Sequence, residues 1–265
     1  MSISFHNFFK RIKFLKFCPS TEASTVVLTM KTDLYTPGAC PIRKGRTILI
    51  IITAILGCYY FISVRNFGRY TAGLHPFHAP IKCRNLTDEG MQQLLDFTYK
   101  IHILLDEIEI DHWLMYGSLL GARRGHAPLI WDDDSDFGVD GDGTFLKLGK
   151  TEFFKKIRDV GGVKQIGDHW SRENLIQIYD KNSEFKVDLM IFHKSGNMMI
   201  RRGWLTWLFP LQYKKYHSFP AKLVEHPLPK SLFGFFNISV PGDGSKILKY
   251  IYPDDWWRVV KPAGC

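Results

Sequence analysis

Residues 47–64, Thr-Ile-Leu-Ile-Ile-Ile-Thr-Ala-Ile-Leu-Gly-Cys-Tyr-Tyr-Phe-Ile-Ser-Val, carry no charge and stand between Arg46 and Arg65. At a helical rise of about 1.5 Å per residue such a run reaches across most of a hydrocarbon core, for which about 17 to 25 residues are typical. A core helix of a soluble domain would carry a polar stripe, and none interrupts this run before Tyr59. The run therefore predicts a transmembrane helix. It divides the chain into a leader (1–46), a signal anchor (47–64), a short stem bearing Gly68, Gly73, Pro76 and Pro80 (65–80), and a body (81–265). No small-x-small pattern follows the run, so a cleaved signal peptide fits poorly.

Charge follows the same division. The chain has 35 Lys and Arg against 26 Asp and Glu, a formal charge of +9, and the leader alone holds eight basic and two acidic residues. The other 219 residues hold 27 basic and 24 acidic ones, so the body is nearly balanced and the basic pI does not imply a nucleic-acid partner. A basic leader favours the cytosolic side, which predicts a single-pass type II membrane protein of the Golgi or ER with a lumenal body. Two sequons, Asn85-Leu86-Thr87 and Asn237-Ile238-Ser239, both follow the run, although Asn237 sits among apolar residues. Five cysteines without a CxxC spacing exclude a disulfide scaffold or a zinc-knit fold. In a lumenal compartment Cys83 and Cys265 would share oxidising conditions, and pairing or free thiols stay equally open.

About 185 residues from Ile81 onward suit one domain. Met91, Leu94, Leu95, Thr98, Ile101, Leu104, Leu105 and Ile108 recur at helical spacing, which predicts a helix to about Ile110 capped by Thr87 or Asp88. A strand at 113–116, a helix at 118–124, a strand at 134–139, a helix at 151–160 and a strand at 185–192 follow. That order predicts an α/β (α+β) domain, a mixed sheet flanked by helices. The aromatic stretch Trp204–Leu211 is too short to span and reads as core. His102, His112, His126, His169 and His193 show no metal spacing and receive no role.

Six of the 26 acidic residues lie between Asp132 and Asp142. On a strand Asp132, Asp134 and Asp136 point to one face, where like charges raise one another's pKa unless a cation neutralises them. A calcium loop fails, because the sixth position from Asp132 is Phe137 and the twelfth is Gly143, where glycine and glutamate are needed. Oxygen-only ligands suit Mg²⁺ or Mn²⁺. Asp188 stands alone in the apolar strand Phe185-Lys186-Val187-Asp188-Leu189-Met190-Ile191-Phe192. An ion pair with Lys186 or ligation of the same metal from a neighbouring strand explains it.

Trp113-Leu114-Met115-Tyr116-Gly117-Ser118-Leu119-Leu120-Gly121-Ala122-Arg123-Arg124, followed by Trp131-Asp132-Asp133-Asp134-Ser135-Asp136-Phe137-Gly138-Val139, resembles the LicD family, which includes bacterial phosphocholine transferases and the animal fukutin and fukutin-related proteins. Phe185-Lys186-Val187-Asp188 is similar to its third acidic motif, and Val240-Pro241-Gly242-Asp243 with Leu248–Trp256 to its closing block. The resemblance spans about 113–262 and implies a nucleotidyltransferase-like fold in a membrane-anchored, animal-like member. It places Gly117, Ser118 and Arg124 on donor phosphate and a metal on Asp134, Asp136 and Asp188. Asp188 or Asp132 would take the acceptor proton. The implied reaction moves a phosphorylated small alcohol, such as phosphocholine or ribitol phosphate, from a CDP-linked donor to a hydroxyl of a glycoprotein or glycolipid glycan. Two alternatives are a DxD glycosyltransferase, which leaves the Gly-Ser turn unexplained, and a catalytically silent glycan-binding relative.

Overall fold

The computed structural model describes residues 41–71, 85–254, 256–258 and 261. Most of the leader, the later part of the stem, Cys83, Asp255 and Cys265 lie outside them. The apolar run lies within helix α1 (Pro41–Thr71), which overruns both predicted edges of the anchor into the leader and the stem. Most of its described apolar side chains, among them Leu49, Ile50, Tyr60 and Phe61, are exposed, and Tyr59 is half-buried. Among the described residues no helix is long and apolar enough to cross a membrane.

The body opens with α2 (Asp88–Glu107), whose first turn is set by Thr87: its hydroxyl accepts the Gly90 amide at 3.1 Å, and Asp88 and Glu89 complement the helix N-terminus. Strand β1 (His112–Leu114) follows, then α3 (Tyr116–Gly125), β2 (Asp134–Asp140), α4 (Thr144–Leu148) and α5 (Lys150–Asp159). Next come β3 (Val163–His169), α6 (Trp170–Glu173), β4 (Leu175–Asp180), the long β5 (Lys186–Ser195) and β6 (Met198–Arg201). The chain continues through α7 (Trp204–Leu208), α8 (Pro210–Tyr216), β7 (Ser218–Pro220), a 3-10 turn (Ala221–Val224), β8 (Lys230–Phe233), β9 (Phe236–Ser239) and α9 (Gly244–Ile251).

The seven-stranded sheet runs β1-β2-β5-β4-β3, with β6 on the second half of β5 and β7 on β6; β8 and β9 form a separate hairpin. It is mixed, as the sequence predicts: β2 and β5 are parallel and the other pairs antiparallel. Every helix and strand predicted in the body is present, within a few residues at each end. The β3–β4 hairpin and the strands after β5 carry no comparable signal, because β3 is a half-exposed edge strand in which Lys164, Gln165 and Asp168 leave no apolar alternation.

Alternation along β2 separates two faces. Ser135 meets Thr98 of α2 at 2.7 Å, so Ser135, Phe137 and Val139 face that helix and join Leu105, Leu189 and Ile191 in the core. Asp134 and Asp136 point the other way. On that second face Trp113 of β1 lies over Gly138, where a methyl group would collide with the indole.

Candidate active site

Parallel pairing of β2 with β5 sets Asp134 opposite Lys186 and Asp136 opposite Asp188. The pleat puts all four on the face away from α2. Oxygens of Asp134, Asp136 and Asp188 lie within 4.8 Å of one another, Asp136 and Asp188 being buried and Asp134 half-buried. The two strands are therefore neighbours, and the ion pair of Asp188 with Lys186 is present. Lys186 Nζ bridges the set, paired with Asp134 and 2.7 Å from Asp188 Oδ2. From β4, Gln177 Nε2 donates to both oxygens of Asp188 at 3.1 Å, and Tyr179 steadies it by donating to Gln177 Oε1 at 3.1 Å.

The Tyr116-Gly117-Ser118 turn is laced to Asp136. The Met115 amide donates to the Asp136 carbonyl at 3.0 Å and the Asp136 amide to Ser118 Oγ at 2.8 Å. The Gly117 amide reaches Asp136 Oδ2 at 3.3 Å. Asp132 closes over the same turn, and a side chain on Gly117 would overlap its carboxylate, so only glycine admits that approach. Tyr116 holds a left-handed backbone, φ 43°, a strained conformation for a residue with a side chain. Its phenol is fixed by His217 Nδ1 at 2.6 Å and by Arg201, whose Nε and Nη2 also hold the Glu173 carbonyl at 3.0 and 2.7 Å.

Electrostatics mark the centre. Burial, then the charges of Asp134, Asp188 and Asp132, push the Asp136 carboxyl well above its ordinary range against the pull of Lys186. Burial and the neighbouring Asp134 and Asp133 push Asp132 up to about 8. Burial also raises Asp188, with Lys186 opposing. The Lys186 ammonium is lowered by burial but held above its usual value overall by Asp134 and Asp188. One ammonium does not balance four carboxylates, and an oxygen-lined cluster still holding protons at neutral pH fits a hard divalent cation. Asp134, Asp136 and Asp188 are the residues able to hold one.

Residues 109–243, just over half of the chain, match the nucleotidyltransferase domain described as LicD/FKTN/FKRP. The chain belongs to this family. The LicD match covers the turn, the acidic cluster and Asp188, and stops at Asp243, short of the 248–256 block. An uncharacterised protein of Rickettsia typhi is 26% identical over 209 residues, 78% of this chain and 59% of that protein. The ribitol 5-phosphate transferase FKRP of mouse is 26% identical over 137 residues, and its human counterpart 25%; each match takes in 50% of this chain and 26% of the relative. The chain thus spans less than two thirds of the length of each of these relatives.

Within the LicD domain the structure brings Asp132, Asp134, Asp136, Asp188, Gly117 and Ser118 together. Arg124 is turned elsewhere, its Nη2 donating to the Arg258 carbonyl at 2.7 Å. Gln177, Tyr179 and Arg201 are the site residues that sequence reasoning missed. Gln177 and Tyr179 alternate with apolar Ile176 and Ile178 on a strand with no motif, so only the β4–β5 register reveals them.

Proposed function

We propose that this LicD domain transfers a phosphorylated small alcohol, of the ribitol phosphate or phosphocholine type, from a CDP-linked donor to a glycan hydroxyl. The observation that carries the reading is the convergence of Asp134, Asp136 and Asp188 beside the Gly117 turn. The printed activity of the FKRP relatives supports the ribitol phosphate form. In this reaction the acceptor oxygen forms a bond to the phosphorus bearing the alcohol, the bond from that phosphorus to CMP breaks, and the hydroxyl proton passes to a carboxylate. Asp134, Asp136 and Asp188 would hold Mg²⁺ or Mn²⁺, which supplies charge neutralisation for the donor phosphates. Gln177 and Lys186 orient Asp188. The Gly117 turn presents an uncluttered backbone to the donor phosphates, and Asp132, outside the metal trio and able to hold a proton near neutral pH, is the carboxylate placed to take the acceptor proton.

The same reading places residues 47–64 of α1 in the membrane of the Golgi or ER and the LicD domain in the lumen. It is supported by the uncharged run, the exposed apolar side chains of α1 and the basic leader.

The test is nucleotide release by the full-length chain with Mn²⁺, a glycan acceptor and a panel of CDP-alcohols and UDP-sugars. CMP should appear with one CDP-alcohol, and Asp136→Asn should lower its rate by a factor of about 10³ or more while far-UV circular dichroism stays native, since it removes a group that neutralises transition-state charge. UDP release would instead identify a glycosyltransferase, and failure to bind any donor a silent relative.

A further inference from the structure

On the opposite face of the sheet from the carboxylates, the end of α2 and the start of β1 bring His102, Asp106 and His112 together. His102 and Asp106 are four residues apart and so share a helix face. His112 returns beside them after a tight turn closed by the Ile110 amide on the Leu105 carbonyl, 2.8 Å, with Glu109 at φ 54°. Both imidazoles are 3% exposed, whereas Asp106 is open to solvent. One ligand atom from each of the three residues lies within 4.8 Å of the others.

His112 Nδ1 lies 2.7 Å from the Ile110 carbonyl and must donate to it, so Nε2 carries a lone pair. His102 Nδ1 lies 2.7 Å from that lone pair and donates its proton to it in the metal-free protein. A divalent cation that displaces this one shared proton, with His102 carrying it on Nε2 instead, meets an imidazole lone pair from each ring. Asp106 brings anionic oxygens alongside the pair, 3.8 Å from His112 Nε2 and 3.6 Å from Nε2 of His102, that ring's other nitrogen. Two imidazoles, that of His112 anchored by its outer nitrogen on the Ile110 carbonyl, and one carboxylate offer the ligand set of a borderline divalent metal. Phe236 of β9 stacks on His102 and shields the site, while Lys230 of β8 is the cation within electrostatic reach that opposes it.

We propose that His102, Asp106 and His112 bind a single Zn²⁺-type ion that ties α2 to β1. Because β1 runs directly into the Tyr116-Gly117-Ser118 turn, the ion fixes the strand that delivers that turn. This site is separate from the carboxylate centre and does not depend on the reaction proposed for it.

The full-length chain, in excess Mg²⁺ to occupy oxygen-only sites, is titrated with Co²⁺ and its visible spectrum followed, and Zn²⁺ content is measured by mass spectrometry after buffer exchange. One equivalent of Zn²⁺, an intense tetrahedral Co²⁺ band and a rise in Tm on adding Zn²⁺ are expected. His102→Gln should abolish all three. Asp106→Asn, at a solvent-open position that does not threaten folding, should weaken binding more than about tenfold, the loss that even an outer partner of a metal ligand produces. Asp134→Asn should leave the band unchanged. Absence of the band in the wild type, or a band untouched by Asp106→Asn, overturns the proposal and leaves a proton shared between the two rings.

Discussion

At the scale of single residues, the carboxylate centre and the histidine pair push stability in opposite directions with pH. Asp136, Asp188 and Asp132 hold protons that the unfolded chain releases near pH 4, so their contribution is complete below about pH 4 and is lost as pH rises through their folded values, about 8 for Asp132. His112 is held down to about 4, chiefly by burial, whereas the unfolded imidazole takes its proton near 6.5. Its contribution is therefore complete above about pH 6.5 and is lost as pH falls toward 4. Above about pH 6.5, where the His112 contribution is complete and only the carboxylates still titrate, the Tm of metal-free protein should fall as pH rises. Asp136→Asn should flatten the alkaline limb and His112→Gln the acidic one. Mn²⁺, which displaces the retained protons, should raise Tm by an amount that grows from pH 6 to 8. Thermal scans in chelator and in Mn²⁺ across this range decide it, and a Mn²⁺ gain independent of pH would show that the cluster is already ionised. The three aspartates were legible in the sequence because strand alternation and the cost of an isolated acid in an apolar strand both point to a shared cation. Their counter-charge was only half legible: Lys186 could be paired with Asp188 by spacing, but its bridge to Asp134 depends on the β2–β5 register.

At the scale of elements, the site depends on how closely β1 lies on β2. Trp113 pairs with Gly138, and the fully buried indole occupies the space a Cβ would need; its Nε1 has no hydrogen-bond partner among the described residues. Gly138→Ala should therefore push β1 away from β2, costing about 1–3 kcal/mol as overpacking does, and loosen the Tyr116 turn at the end of β1. Urea unfolding should show a lowered midpoint with unchanged slope. The double variant Gly138→Ala with Trp113→Phe should recover part of the loss, because the smaller ring returns the space. A wild-type midpoint for Gly138→Ala would mean that the strands accommodate the methyl group. The strands and helices bearing this contact were readable because apolar periodicity marks them. The β8–β9 hairpin was not: Leu232 and Phe235 are exposed while Phe233 and Phe236 are buried, so hydrophobicity alone gives no face.

At the scale of the whole chain, the division into leader, apolar run and body was read from charge and hydropathy, neither of which needs tertiary contacts. The residues that report on sidedness did need them. Asn237, which its apolar neighbours placed in doubt, is exposed on β9 because alternation turns Phe236 and Ile238 inward and Asn237 outward; Asn85 is exposed ahead of α2. Both sequons are thus open to a lumenal oligosaccharyltransferase, whereas a cytosolic body would meet none. Expressed in animal cells, the full chain should carry N-glycans removable by peptide N-glycosidase, and Asn85→Gln and Asn237→Gln should each remove one mass increment on a denaturing gel. The doubly substituted chain should migrate as the enzyme-treated wild type and still resist carbonate extraction, since its retention depends on residues 47–64. Replacing Ile55 and Leu56 with Asp should release it, because two charges at the middle of an 18-residue run make its insertion unfavourable by about 5 kcal/mol or more. An unglycosylated wild-type chain that stays in the membrane pellet would reverse the proposed orientation, and a fully extractable one would remove the anchor.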